Sequence, residues 1–400
     1  MEEITETSAL LENTSVMINI HVNNAVSFPL MGHAMLGSLL VLSMVVGICA
    51  NSVGIVIFYK NKNLRSPTNL FIASLAFCDL LMLVLATPLP TASSFANRWI
   101  WGHAGCVFEG FLVFFLGLTS LYLLCAISID RYIVIAMPLN NALITKCRAI
   151  CSVLACYGLG FFWATLPLLG WNSYQLEGLM TSCSVLWDTK KPADYSYNVV
   201  IFFTCFMLPV IIMSFCYYKV YRTVRAVSRN NQWDINNRMT ERKLKVERKI
   251  SRTILIMIGV FLGCWSPYAI VSFWAAFGVA NDIPVGVTGI PPFIAKTSSV
   301  WNPIIYICTN RQFRTAFLHI LPCVSLRREQ AESSEMIHVG SSRVVAIDSP
   351  TPPLRQQLNC LTNQNERPHL PSGKNVIFDD VVEESRVEPI NVPKQEMGDV

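Results

Sequence analysis

Seven stretches of the chain are apolar at nearly every position: near 35–59, 69–92, 105–134, 148–170, 196–222, 250–276 and 286–308, with short polar segments between them. About 20 helical residues cross the roughly 30 Å hydrocarbon layer of a bilayer, so each stretch is predicted to be a membrane-spanning helix. The strands of a membrane barrel would instead alternate polar and apolar residues over about ten positions. The pattern therefore predicts an all-α membrane protein, a seven-transmembrane helix bundle. An odd number of crossings puts the two termini on opposite sides.

Beyond the last span, "NRQFRTAFLHILPC" (310–323) sets aromatic and aliphatic residues at helical spacing with Arg311 and Arg314 among them. This predicts a short amphipathic helix lying on the inner leaflet, with Cys323 at its end as a palmitoyl acceptor. From about 327 the composition shifts to Glu, Ser, Pro and Gln with few aromatics, as in disordered tails. The expected organisation is an outer tail over 1–33, a helical domain over 34–323 and a cytoplasmic tail over 324–400.

Charge orients the bundle. The first 59 residues contain no Lys or Arg, whereas "YKNKNLR" (59–65), the loop with Lys146 and Arg148, and "ERKLKVERK" (241–249) are basic. Basic loops stay cytoplasmic, so the N-terminus is expected outside, with Asn13 as an N-x-[ST] glycosylation acceptor on the compatible side. The start of the chain lacks a basic region followed by an apolar core, so no signal peptide is expected. The net charge of +5 then reflects topology and attraction to anionic lipids, not nucleic-acid binding. With 52% hydrophobic and 14% charged residues and a mean hydropathy of +0.44, the chain lies far from the soluble average of about a quarter charged.

Most of the fourteen cysteines fall inside spans, where they read as small apolar fillers, and none shows metal-ligand spacing. Cys106 and Cys183 differ, because both face the oxidising side and could pair. The most unusual residue is Lys296 in "FIAKTSSVWNPIIY" (293–306), about ten residues from either end of its span. An ionisable residue so placed costs roughly 2.5–3.5 kcal/mol on insertion scales and points to function. It is either a structural lysine neutralised by a carboxylate or a desolvated amine, nucleophilic toward an aldehyde. Glu109, near the outer end of the third span, and Glu177, in the second outer loop, are the candidate counterions. Asp79 and Asp130 are the other carboxylates near the spans.

"FIAKTSSVWNPIIY", "CWSPY" (264–268), "DRY" (130–132) and the Cys106 and Cys183 positions together resemble the opsins, the retinal-binding branch of the rhodopsin-like G-protein-coupled receptors. The resemblance covers about residues 35–323. It implies that Lys296 binds 11-cis or all-trans retinal as a Schiff base, that Cys106 and Cys183 form a disulfide, and that the protein is a plasma-membrane receptor and not an enzyme. Glu109 matches the helix-three counterion of vertebrate visual pigments, and Glu177 the loop carboxylate of many bistable opsins. Phe261, Trp265 and Tyr268 match the aromatic pocket wall, with Gly117 giving room beside it.

The resemblance also implies a switch. Asp130, Arg131 and Tyr132 hold Arg131 against Asp130 and Glu247, while Tyr217 and Tyr306 stabilise an open state. Asn302 and Pro303 belong to the same element, and Asn51, Asp79 and Asn302 resemble a polar cluster inside the bundle. The expected partners are a heterotrimeric G protein, a receptor kinase acting on tail serines such as Ser333, Ser334, Ser341 and Ser342, arrestin drawn by the charge so added, and membrane lipids. Tyr157 stands where the superfamily usually has a tryptophan, and "SPYAIVSFWAAFG" (266–278) and "ATLPLLGW" (164–171) resemble neuropsin, peropsin and encephalopsin relatives. A retinal photoisomerase is the alternative the resemblance leaves open. A light-driven pump of the microbial kind has no place for the Cys106/Cys183, DRY and NPIIY elements.

Overall fold

The computed structural model describes residues 28–61, 66–137, 144–229, 235–278, 283–309 and 313–315, the side chains of 227–245 and 285 excepted. The chain divides into a unit over Met1–Ala331 and another over Glu332–Val400, and every described residue lies in the first. Asn13, Cys323, the tail serines and most of the expected amphipathic helix lie outside the described residues. Residues 313–315 are helical.

Among the described residues, six helical spans long and apolar enough to cross a membrane run Leu30–Lys60, Pro67–Phe95, Gly102–Ala136, Lys146–Leu169, Pro192–Ala226 and Val246–Phe277. They begin and bend for local reasons. Ser66 caps the second span by accepting the Asn69 N–H at 3.2 Å, and Thr145 caps the fourth by accepting that of Arg148 at 3.3 Å, each satisfying one orphan donor of a helix end. The second and fifth spans each widen into a π-helical turn, Met82–Ala86 and Phe202–Met207, shortly before Pro88 and Pro209. A proline has no N–H to continue the helical ladder, and a π turn absorbs the mismatch.

The seventh predicted span departs from a single helix. It folds as two twelve-residue helices, Val285–Lys296 and Ser298–Thr309, meeting at Thr297. Pro291, Pro292 and Pro303 lie inside them. Pro303 cannot donate to the Ser299 carbonyl four residues earlier, and Asn51 of the first span donates its side-chain amide to that carbonyl at 2.9 Å instead. Thr297 closes the break by donating to the Phe293 and Ile294 carbonyls at 3.3 and 3.1 Å. Lys296 is thereby the last residue of a half-helix.

The bundle buries its polar groups among an apolar core and turns apolar side chains outward. Asn51, Asp79, Glu109, Asp130, Arg131, Lys296 and Asn302 are each at most 6% exposed, while Leu154, Phe161, Phe203, Ile211, Leu255 and Ile270 face outward. An outer face of that kind suits hydrocarbon and not water. The third span, 35 residues long, is the central post. Helices approach it closely where a side chain is missing: a Cβ on Gly160 would meet the Phe115 carbonyl at 2.9 Å, the small-residue packing expected in a membrane.

Among the described residues, one hairpin interrupts the helical pattern. Strand β1, Tyr174–Glu177, pairs antiparallel with β2, Ser182–Val185, in the second outer loop. A disulfide between Cys106 and Cys183 fastens β2 to the outer end of the third span. Asn198 donates to the Leu186 and Trp187 carbonyls at 3.0 and 3.1 Å, and Tyr174 to the Ala164 carbonyl at 2.7 Å. The hairpin therefore forms a fixed cap over the bundle.

Candidate functional site

Lys296 emerges from the half-helix into a buried polar knot. Its ammonium donates to Ser182 Oγ at 2.8 Å and lies 3.4 Å from Glu109 Oε1. Ser182 donates to the same carboxylate at 3.3 Å, and the Cys183 backbone N–H donates to Glu109 Oε2 at 2.6 Å. Glu109 is fully buried and Lys296 is 4% exposed. A buried ion pair persists when further hydrogen bonds satisfy the remaining lone pairs, and the disulfide-tethered β2 strand supplies them.

Glu177 occupies a separate position. It accepts a hydrogen bond from the Tyr268 hydroxyl at 3.1 Å, and Trp187 Nε1 donates to that hydroxyl at 3.0 Å. Burial pushes the Glu177 carboxyl up from its ordinary range, against the pull of the Lys296 charge. Of the two carboxylates nominated from sequence, Glu109 touches the amine and Glu177 stands off it.

Beside Lys296 opens a cavity whose walls include Glu177, Phe261, Trp265, Tyr268, Gly117 and Ala295. Trp265 and Phe261 stack with centroids 5.8 Å apart, and Trp265 Nε1 donates to Ser298 Oγ at 3.0 Å. A Cβ on Gly117 would stand 2.7 Å from the Trp265 ring, so the glycine is needed for that ring to lie where it does. Phenylalanines from the fifth and sixth spans, Phe202, Phe206 and Phe273, continue the wall. An apolar chamber with one amine and few polar groups suits a long apolar molecule bearing one reactive carbonyl.

Two further clusters lie toward the other end. Asn302 donates to Asp79 Oδ2 at 2.7 Å, and Asn51 donates to the Gly47 and Ser299 carbonyls at 2.9 Å each. At the inner end of the third span, Arg131 Nη2 lies 2.7 Å from Asp130 Oδ2 while Nη1 pairs with Glu247. Thr68 donates to Asp130 at 2.7 Å and also contacts Arg131. Tyr132 packs edge-on against Phe215. The buried hydroxyls of Tyr217 and Tyr306 make no hydrogen bond among the described residues.

Sequence reasoning missed Ser182, Thr68, Trp187 and Ser298. Ser182 adjoins Cys183, a signal that could have brought it forward. Nothing in the local pattern around Thr68 marks it, because its partners are 62 and 63 residues away.

Residues 50–306 match the 7 transmembrane receptor (rhodopsin family). The chain is 33% identical over 292 residues to the mouse (Mus musculus) visual pigment-like receptor peropsin, covering 73% of this chain and 85% of that protein. It is 35% identical over 319 residues to parapinopsin of Ictalurus punctatus, covering 79% and 90%. With melanopsin of Mus musculus it shares 35% identity over 306 residues, 75% of this chain and 59% of that one. The crystal structure of squid rhodopsin superposes with a TM-score of 0.68 at 29% identity, covering 74% of this chain and 87% of the other. The chain belongs to the rhodopsin family of seven-transmembrane receptors, and within that family it is an opsin of the non-visual type. The family is one of multi-pass membrane receptors, not enzymes.

Proposed function

We propose that the protein is a light-sensing receptor of the plasma membrane that holds retinal, 11-cis or all-trans, as a Schiff base on Lys296 and activates a heterotrimeric G protein. The observation that carries this reading is a buried amine at the wall of an apolar cavity, paired with Glu109 at 3.4 Å. The residues present fit the group: Lys296 supplies the nitrogen, Glu109 and Ser182 hold a proton there, and Phe261, Trp265 and Tyr268 enclose an apolar chain, with Gly117 leaving space. When bound, retinal supplies light absorption and a change of shape about one double bond.

The chain's own residues supply the rest. Glu109 balances the positive charge at Lys296, and the hairpin cap excludes water from it. Trp265 stands between the cavity and the polar cluster below. The Arg131 pairs with Asp130 and Glu247 hold the inner ends of the third and sixth spans together. Their release opens a cleft for the G protein, a two-state equilibrium biased by the ligand. The hydroxyls of Tyr217 and Tyr306, buried without a hydrogen bond among the described residues, gain one in the open state. The N-terminus faces outside, on the side of the Cys106–Cys183 disulfide. Asn13 carries glycan, Cys323 carries palmitate, and phosphorylated tail serines recruit arrestin through added charge.

Purified protein regenerated with 11-cis retinal and mixed with G protein should accelerate nucleotide exchange on illumination. Light-driven release of a retinal isomer without exchange would replace this reading with photoisomerase activity.

A further inference from the structure

Glu177 and Ser182 face each other as the last pair of the hairpin, joined by the turn 178–181. Gly178 and Met180 have left-handed backbone, with φ of 52° and 58°. The Met180 N–H closes back on the Glu177 carbonyl at 3.0 Å. Such a short, closed turn moves only by carrying Glu177 and Ser182 with it.

The turn rests on the seventh span. A Cβ on Gly178 would stand 2.7 Å from Gly289 Cα and 2.8 Å from the Thr288 carbonyl. A Cβ on Gly289 would collide with Leu179, which is buried with Leu36, Leu40 and Phe293. The contact therefore requires a missing side chain on both sides. Gly289 precedes Lys296 by seven residues, about two helical turns, and both belong to the helix Val285–Lys296. One helix thus holds the turn at one level and the amine at another, on the same face.

We propose that Gly178 and Gly289 form a positioning contact that sets the spacing of Ser182 and Glu177 from Lys296. The inference rests on the reading of Lys296 as the retinal anchor. Neither glycine touches the amine, and both act through the hairpin. Ser182 lies 2.8 Å from Lys296 and 3.3 Å from Glu109, the second near the long limit of a useful hydrogen bond. A displacement of a few tenths of an ångström at the turn is enough to break it.

The test compares Gly289→Ala, Leu179→Ala and the double variant, with Gly158→Ala as control, since a Cβ there meets nothing within 4 Å. Hydrogen exchange over 174–185 is followed in retinal-free protein, and the absorption maximum after regeneration with 11-cis retinal. Gly289→Ala should raise exchange of the Cys183 amide about tenfold and displace the absorption maximum. Leu179→Ala in the same chain should return both toward the wild-type values, and Gly158→Ala should change neither.

Unchanged exchange in Gly289→Ala overturns the contact. Raised exchange with an unmoved spectrum overturns its positioning role. Should Gly289→Ala yield no folded protein, recovery in the double variant supports the contact and failure to recover overturns it. A wild-type chain that takes up no retinal defeats the anchor reading instead, while the exchange arm still decides the contact.

Discussion

At the residue scale the molecule turns on one charge pair and the groups that make it tolerable. An ammonium and a carboxylate taken out of water lose several kcal/mol of hydration each, and their attraction repays it only when other donors complete the geometry. Ser182 and the Cys183 amide do so for Glu109. Removing one partner of such a pair costs about 3–5 kcal/mol, because the other charge is left buried alone. Glu109→Gln should therefore release the proton from the regenerated pigment and move its absorption toward the ultraviolet at neutral pH. Retention of the visible band would transfer the counterion role to Glu177.

The opening between these two carboxylates was legible in the sequence only as a choice. Both were nominated from their outer placement, and neither could be preferred until the hairpin's position was known. Ser182 was invisible to periodicity, since a loop serine carries no pattern and its partners lie 73 and 114 residues away.

At the element scale, prolines and glycines decide where helices break and how near they come. The long apolar runs made the spans readable, because a period-independent hydrophobic stretch of 20 or so residues has few other uses. The break at Thr297 was not read, because the stretch 286–308 reads as a single span across it, and although Pro303 was in view its compensating donor sits on a different span. Asn51 and the Ser299 carbonyl are 248 residues apart in sequence and 2.9 Å apart in the bundle. Asn51→Ala would leave that carbonyl buried without its donor, at a cost of about 1–3 kcal/mol. Thermal unfolding in detergent should show the loss. An unshifted transition would mean that another donor takes over the Ser299 carbonyl.

At the scale of the whole molecule, the third span lines the cavity from Gly110 to Leu121 and carries the inner lock at Asp130 and Arg131, nearer its other end. The DRY element and Glu247 were readable together only through family resemblance. Spacing by itself gives no reason to join residues 116 positions apart. The Arg131 side of that pair is 4% exposed and the Glu247 side 32%. Partial exposure limits its worth to about 1 kcal/mol, which is still roughly fivefold in a two-state equilibrium. Glu247→Gln should accordingly raise dark nucleotide exchange on the G protein about fivefold. Dark exchange equal to wild type would show that the pair does not restrain the inner ends.

All of these expectations depend on Lys296 being the attachment point. The most direct test is the absorption spectrum of the purified protein after incubation with 11-cis retinal, recorded in the dark and after illumination, beside Lys296→Ala treated identically. The account predicts a light-sensitive band in the wild type that is absent from the variant. A wild type with no band after either 11-cis or all-trans retinal, or a variant that retains it, would contradict the account.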